Sequence, residues 1–137
     1  MYKRQVYGNQ GDDTILGDAG NDSLYGGNGD DVINGGAGND FIAGNADNDS
    51  LYGDAGIDDI YGGAGRDGLF GGVGGGDSLT GGQDDDRFLP FAEGSTGTPQ
   101  VLDTITDLTA EDVQVMIVDN LTPVSYTHLT LPTIYSV

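Results

Sequence analysis

The 137-residue chain is strongly acidic, with 23 Asp and Glu residues against 4 Lys and Arg residues and a formal net charge of −19. This charge makes nucleic acid and anionic membrane surfaces implausible partners, because both would repel the chain. The sequence also has 26 glycines, no cysteine and no membrane-spanning apolar run, so a bound metal would have to be held by oxygen ligands instead of thiolates.

The two ends of the chain differ in composition from the rest. Residues 1–5 and 124–137 resemble translated sequencing-adapter sequence. Together they hold half of the basic residues and the single His, and residues 124–137 contain no Asp, Glu or Gly. We therefore expect both segments to be non-native ends that carry no function.

A nine-residue repeat fills the chain from Gly8 to Leu89, in nine units of which the eighth contains one extra residue, Gly76. Position one of each unit is Gly and position six is Asp. Position eight is always a large apolar residue, and these residues are Ile15, Leu24, Ile33, Ile42, Leu51, Ile60, Leu69, Leu79 and Phe88.

Each constant position has a physical interpretation. Glycine at positions one and four, with Gly, Asn or Asp at position two, predicts a tight turn that uses positive φ angles. Positions seven to nine predict a short strand whose position-eight side chain points inward. A nine-residue period is too short for a helical hairpin and is typical of a parallel β-solenoid.

The invariant aspartates are candidate metal ligands. Stacked turns would place these carboxylates about 4.8 Å apart, and like charges at that distance repel by on the order of 1 kcal/mol even in water. A cation between the turns would remove this repulsion. Carboxylates and glycine carbonyls are hard oxygen ligands, which favour Ca²⁺ over zinc, copper or Mg²⁺. The candidates are Asp13, Asp22, Asp31, Asp40, Asp49, Asp58, Asp67, Asp77 and Asp86.

The units resemble the RTX (repeats-in-toxin) family, whose nonapeptide G-G-x-G-x-D-x-U-x binds calcium. The resemblance covers Gly8 to Leu89 and implies a right-handed parallel β-roll with two units per turn. It implies up to seven Ca²⁺ ions, each between aspartates one turn apart. The implied pairs are Asp13 with Asp31, Asp22 with Asp40, Asp31 with Asp49, Asp40 with Asp58, Asp49 with Asp67, Asp58 with Asp77, and Asp67 with Asp86.

The remaining ligands would be backbone carbonyls of turn residues such as Gly26, Gly29, Gly35, Gly38, Gly53, Gly56, Gly62 and Gly65. Asp47 and Asp84 replace the position-four glycine of their units and depart from the family pattern. An eighteen-residue turn also predicts two columns of inward side chains. These columns are Ile15, Ile33, Leu51, Leu69 and Phe88, and Leu24, Ile42, Ile60 and Leu79.

Beyond Leu89 the repeat stops. Residues 90–100 predict a loop, and residues 101–108 and 113–118 predict two strands that cap the open end of the solenoid. The sequence thus divides into a β-roll over residues 6–89 and a loop with capping strands over residues 90–123, so the predicted fold is all-β.

Enzyme signatures have weak support. The Asp-Ser-Leu of Asp77 to Leu79 matches an esterase nucleophile block, but the same triplet recurs as a product of the repeat. A serine nucleophile needs a base, and the single His, His128, lies in the suspect tail. Aromatic residues at position nine could form a binding stripe, although strand surfaces favour aromatics in any case. They are Tyr25, Tyr52, Tyr61 and Phe70.

The sequence therefore predicts a calcium-binding repeat module that is not itself an enzyme. The resemblance implies a secreted, extracellular bacterial protein that stays disordered during export by a type I secretion machinery and folds on meeting Ca²⁺. Two alternatives remain open: the C-terminal module of a secreted hydrolase, protease or pore-forming toxin, and a segment of a surface adhesin. The sequence does not indicate an oligomeric state.

Overall fold

The computed structural model of the chain describes residues 3–74 and 76–89, together with residues 104–105 and 125–126. These residues form twelve β-strands and contain no helix, so none of them lies in a helix that could cross a membrane. The strands are β1 (Gln5–Gln10), β2 (Thr14–Leu16), β3 (Ser23–Asn28), β4 (Val32–Ala37), β5 (Phe41–Ala46), β6 (Ser50–Ala55), β7 (Asp59–Ala64), β8 (Gly68–Val73), β9 (Ser78–Gln83), β10 (Arg87–Leu89), β11 (Thr104–Ile105) and β12 (Ser125–Tyr126).

The strands build two parallel sheets, and the chain alternates between them. One sheet has the order β1-β3-β5-β7-β9-β11-β12 and the other has the order β10-β8-β6-β4-β2. Neighbouring strands of one sheet are one turn apart, as Leu24 opposite Ile42 illustrates. Two nonapeptides therefore make one turn, and about five turns are stacked. The predicted all-β β-roll is confirmed.

The core consists of the position-eight side chains, as predicted. All nine are buried, with exposed fractions of 6% or less. The strand register places Ile15 opposite Ile33 in one column and Ile60 opposite Leu79 in the other. Both predicted columns are confirmed, and each turn contributes two apolar side chains to one continuous core.

The strands are longer than the three residues predicted. Most have six residues, because pairing continues through positions one to three of the next unit, as in β3. Side chains alternate along a strand, so positions six, eight and one share the inner face. Position one is accordingly buried, for example at Gly26 and Gly35.

The interpretation of position-one glycine as a positive-φ residue was wrong. Positive φ angles occur at positions two and four, where they include Asn9 (82°), Asp47 (77°) and Asp84 (75°). Asn and Asp tolerate this conformation better than other side chains, so Asp47 and Asp84 preserve the turn. Position one is glycine for a different reason, which is the space that the position-six carboxylate occupies.

The β11 strand extends the seven-stranded sheet beyond the last complete unit, with Ile105 opposite Leu79. These two residues fall within the capping strand predicted at residues 101–108, and the other residues of that segment lie outside the described residues. The β12 strand, within the suspected tail, pairs with β11 in turn. The predicted loop at residues 90–100 and strand at residues 113–118 lie outside the described residues.

Candidate metal site

The position-six aspartates stand immediately before the strands and point toward the interior. Those of the even-numbered repeat units precede strands of the seven-stranded sheet, and we call them the even side. Those of the odd-numbered units precede strands of the five-stranded sheet, and we call them the odd side. Asp13 is half-buried, whereas the later ones are 1–3% exposed. The even side comprises Asp22, Asp40, Asp58 and Asp77, and the odd side comprises Asp13, Asp31, Asp49, Asp67 and Asp86.

A hydrogen-bonded ladder joins the aspartates of each side. The backbone amide of each one donates to the Oδ1 atom of the aspartate one turn further along, for example from Asp22 to Asp40 at 2.7 Å and from Asp31 to Asp49 at 2.8 Å. All seven pairs implied by the family resemblance are brought together in this way, at 2.7 to 2.9 Å. These bonds fix the orientation of the carboxylate that accepts in each pair, from Asp31 onward.

The second carboxylate oxygen, Oδ2, is buried and accepts no hydrogen bond in a series of these residues. The series comprises Asp13, Asp22, Asp31, Asp40, Asp49, Asp58 and Asp67. A buried anionic oxygen without a partner is costly, and buried polar atoms in proteins are almost always satisfied. A row of such atoms on both sides of the solenoid therefore calls for cations or protons.

Most of these Oδ2 atoms lie against the position-one glycine of their own unit, and the exception is Asp22, because an added Cβ on Gly17 would instead meet the carbonyl of Gly35. A Cβ atom added to Gly35 would lie 2.6 Å from Oδ2 of Asp40 and 2.9 Å from the carbonyl oxygen of Gly53. The same arrangement recurs at Gly8, where an added Cβ would lie 2.6 Å from Oδ2 of Asp13. Each site thus combines a carboxylate oxygen with a glycine carbonyl of the next turn.

The predicted carbonyl ligands occupy equivalent places in their units. The carbonyls of Gly26 and Gly35 face the position-one glycine of the preceding turn, like that of Gly53. The carbonyls of Gly38 and Gly56 face the position-four glycine of the following turn. The other three predicted residues stand at position one or four of their own units, and they are Gly29, Gly62 and Gly65.

No three acidic or histidine side chains converge on one point within the described residues. An ion between two turns would therefore need backbone carbonyls or water to complete its shell. Calcium accepts such mixed oxygen ligands in flexible geometry, whereas Mg²⁺ requires a strict octahedron and retains its waters. The donor set fits calcium.

Four of the buried carboxylates have a raised pKa and so hold protons more tightly than an ordinary aspartate. Burial raises the pKa of Asp49 and that of Asp58 from the ordinary 3.8 to about 7, and that of Asp67 to about 6. Burial also raises the pKa of Asp40. The amide hydrogen bond lowers each of these pKa values in part, and neighbouring carboxylates, such as Asp77 beside Asp58, raise them further.

A second ladder, at position five, was missed by sequence reasoning. Its side chains are exposed, and each accepts a hydrogen bond from the backbone amide of the position-five residue one turn later. The amide of Asp30 donates to Oδ1 of Asp12 at 3.0 Å, and the amide of Asn48 donates to Oδ1 of Asp30 at 2.9 Å. In the first ladder the amide instead belongs to the earlier turn. The available signal was the Asp or Asn at position five in each of the first five units.

The position-nine aromatics do not form one stripe, because alternate units belong to different sheets. Tyr52 and Phe70 stack on the five-stranded sheet, with ring centroids 4.5 Å apart. Tyr25 and Tyr61 lie on the other sheet and both contact Phe41.

The chain was compared with known proteins. The family model for the RTX calcium-binding nonapeptide repeat, in its four-copy form, matches residues 7–42 and again residues 43–76. The two matches cover just over half of the chain. No curated protein and no solved structure matches it.

Proposed function

The chain belongs to the RTX calcium-binding nonapeptide repeat family, and we propose that its calcium-binding β-roll folds when it meets calcium after secretion. Calcium binding is the property that the family match supports directly. We further propose which residues bind the ions, how many ions bind, and that binding couples folding to secretion.

The observation that carries the proposal is the row of buried Oδ2 atoms without hydrogen bonds. The position-six aspartates from Asp13 to Asp67 share it. Their geometry repeats from turn to turn because the Oδ1 ladder holds the accepting carboxylates in the same orientation. A repeating row of buried carboxylate oxygens that accept no hydrogen bond is what a row of divalent cations would neutralise.

The proposed ligands are the nine position-six aspartates together with glycine carbonyls at positions one and four. Each inter-turn pair of aspartates would frame one ion, so the number of sites is at most seven. Asp40 illustrates the arrangement, because it accepts the amide of Asp22 and donates its own amide to Asp58. Bound calcium would supply the positive charge between turns, and the aspartates and carbonyls would hold it in place.

Metal binding and folding are expected to be coupled in this chain. Each site takes ligands from turns about eighteen residues apart, and such a site is absent from an unfolded chain. The net charge of −19 also opposes compaction in the absence of cations. At low cytosolic calcium the chain would therefore stay unfolded, which suits export by a type I secretion machinery.

The module has a non-catalytic role in this proposal, as part of a secreted bacterial protein. Support comes from the repetition itself, because the position-six aspartates of the described repeat units form a series of similar sites instead of one distinct active-site carboxylate. Three grooves between the loops are open to solvent and are lined largely by position-five to position-seven residues.

Calorimetric titration of the full 137-residue chain tests calcium binding directly. We expect several Ca²⁺ ions per chain, at most seven, and much weaker binding of Mg²⁺ under the same conditions. Fewer than two bound calcium ions at millimolar concentration would overturn the proposal, as would equal binding of Mg²⁺.

A further inference from the structure

The residue that precedes β1 continues the position-six series with the opposite charge. Gln5 pairs with Ser23, and Val6 pairs with Leu24. Arg4 therefore stands opposite Asp22, at position six of an incomplete unit before Gly8. Its backbone amide donates to Oδ1 of Asp22 at 2.7 Å, which is the ladder bond made by every later aspartate pair.

The Arg4 side chain lies where the ladder would otherwise require an external cation. Its Nη2 atom is 3.6 Å from Oδ2 of Asp22, and its Nη1 atom is 3.3 Å from Oδ2 of Asp18. Oδ2 of Asp22 accepts no hydrogen bond, so this ion pair is its compensation. The Asp22 side chain is 0% exposed, whereas that of Arg4 is 41% exposed.

We propose that Arg4 is a built-in counter-ion on the even side. In the space between its own turn and the turn of Asp22, the guanidinium supplies the positive charge that calcium supplies between later pairs of turns. This inference rests on the calcium-binding function proposed above. Arg4 thus stabilises the first turn, and calcium binds only between aspartate pairs, which begin with Asp22 on the even side and with Asp13 on the odd side. This role of Arg4 also runs against the expectation that residues 1–5 carry no function.

The two sides of the solenoid differ in this respect. On the odd side the first aspartate is Asp13, which is half-buried. On the even side the first aspartate is Asp22, which is 2% exposed. The guanidinium therefore lies beside the more deeply buried of the two terminal carboxylates, where a fixed cation has the larger effect.

The test compares Arg4→Gln with Arg66→Gln in the full chain at saturating calcium. Both substitutions remove one positive charge. Arg66 is exposed, and no ion pair involves its side chain among the described residues. Arg4→Lys keeps the charge, and all three variants keep the backbone amide and its hydrogen bond. Denaturant unfolding of each variant and of the parent gives the unfolding equilibrium constant, and calorimetry gives the number of bound ions.

We expect Arg4→Gln to raise the unfolding equilibrium constant about tenfold, because a buried carboxylate loses its partner. Arg66→Gln should change it by about twofold or less, and Arg4→Lys should recover most of the loss. The number of bound calcium ions should be the same in the parent and in Arg4→Gln.

Equal effects of Arg4→Gln and Arg66→Gln would overturn the inference, and so would an Arg4→Lys variant as unstable as Arg4→Gln. In either case the parent would still bind calcium, so the proposed function would stand. A parent chain that binds no calcium would instead refute the proposed function and this inference together.

Discussion

At the scale of single residues, the two oxygens of each position-six aspartate have different roles. Oδ1 accepts a backbone amide from the preceding turn, as in the bond from Asp22 to Asp40. Oδ2 is aimed at the position-one glycine and at a carbonyl of the next turn, where it lacks a donor. Replacing Asp by Asn separates the two roles, because the amide oxygen can keep the first while the charge of the second is lost.

Asp40→Asn is expected to remove about two calcium ions from the full chain and Asp13→Asn about one. Asp40 faces an aspartate on each side, whereas Asp13 is the first of its series and faces only Asp31. The exposed Asp59 provides the control, because Asp59→Asn changes the net charge equally without touching a ladder. Calorimetric stoichiometry decides the outcome, and equal losses from Asp40→Asn and Asp13→Asn would contradict shared ligands.

Lowering the pH should partly replace the stabilising effect of bound metal on the folded chain. The pKa values of Asp49 and Asp58 rise to about 7 and that of Asp67 to about 6, mainly because of burial, against an ordinary 3.8. The metal-free fold therefore binds protons more tightly than the unfolded chain does. The stability that these protons contribute is fully present below about pH 4 and is lost as the pH rises through 6 to 7.

Circular dichroism of the calcium-depleted chain across pH 4 to 8 measures this effect. We expect the β signal of the calcium-depleted chain to grow as the pH falls. The affinity for calcium should decrease over the same range, because protons compete for the same oxygens. A metal-free β signal that stays constant or rises with pH would show that the carboxylates are not protonated in a compact state.

At the scale of the strand, the unit of structure is a six-residue segment that crosses the boundary between two nonapeptides. Position eight was predicted correctly as inward because apolar residues give an unambiguous signal. Positions six and one share that face, but an aspartate and a glycine do not suggest burial. Their inward direction follows from the alternation of side chains along a strand. Position one shares in that alternation because the strand continues into the next unit, as β3 continues to Asn28.

Gly35→Ala tests whether position one must leave room for the carboxylate. The new methyl group would lie 2.6 Å from Oδ2 of Asp40 and 2.9 Å from the carbonyl of Gly53, so both potential ligands would have to move. We expect a loss of about 1 to 3 kcal/mol in the unfolding free energy, together with weaker calcium binding.

Gly68→Ala is the matched control for Gly35→Ala. Its added methyl group would lie 3.1 Å from the edge of the Phe70 ring and 3.9 Å from the carbonyl oxygen of Asp49, so it would not touch a carboxylate, and neither glycine has a positive φ. We expect Gly68→Ala to change stability by no more than about 0.5 kcal/mol. Thermal or denaturant unfolding at fixed calcium compares the two variants, and similar stabilities would argue against the close-approach explanation of position one.

At the scale of the whole molecule, the dominant feature is negative charge packed around a narrow core. The core receives one large apolar side chain per unit, and the net charge is −19. Seven divalent ions would supply fourteen positive charges, one ion for each inter-turn aspartate pair. Cations would thus remove most of the self-repulsion, and each would join two turns at the same time.

Much of this architecture could be predicted from the sequence, because a short repeat fixes the same environment many times. The two core columns and the seven aspartate pairs follow from the period together with the family resemblance. The position-five ladder could not be foreseen in the same way, since exposed Asp and Asn residues are common in turns. The ion pair between Arg4 and Asp22 was missed because residues 1–5 were set aside as a non-native end, although the nine-residue period counted back from Asp13 places Arg4 at position six.

The central claim is that calcium, and not divalent charge in general, switches this chain from unfolded to folded. Far-ultraviolet circular dichroism of the full chain tests it most directly, with one sample in chelator near neutral pH, one in millimolar Ca²⁺ and one in equal Mg²⁺. We predict an unfolded spectrum in chelator and in Mg²⁺, and a β spectrum that appears cooperatively as Ca²⁺ is added. Full β structure in chelator, or equal folding in Mg²⁺, would contradict the account.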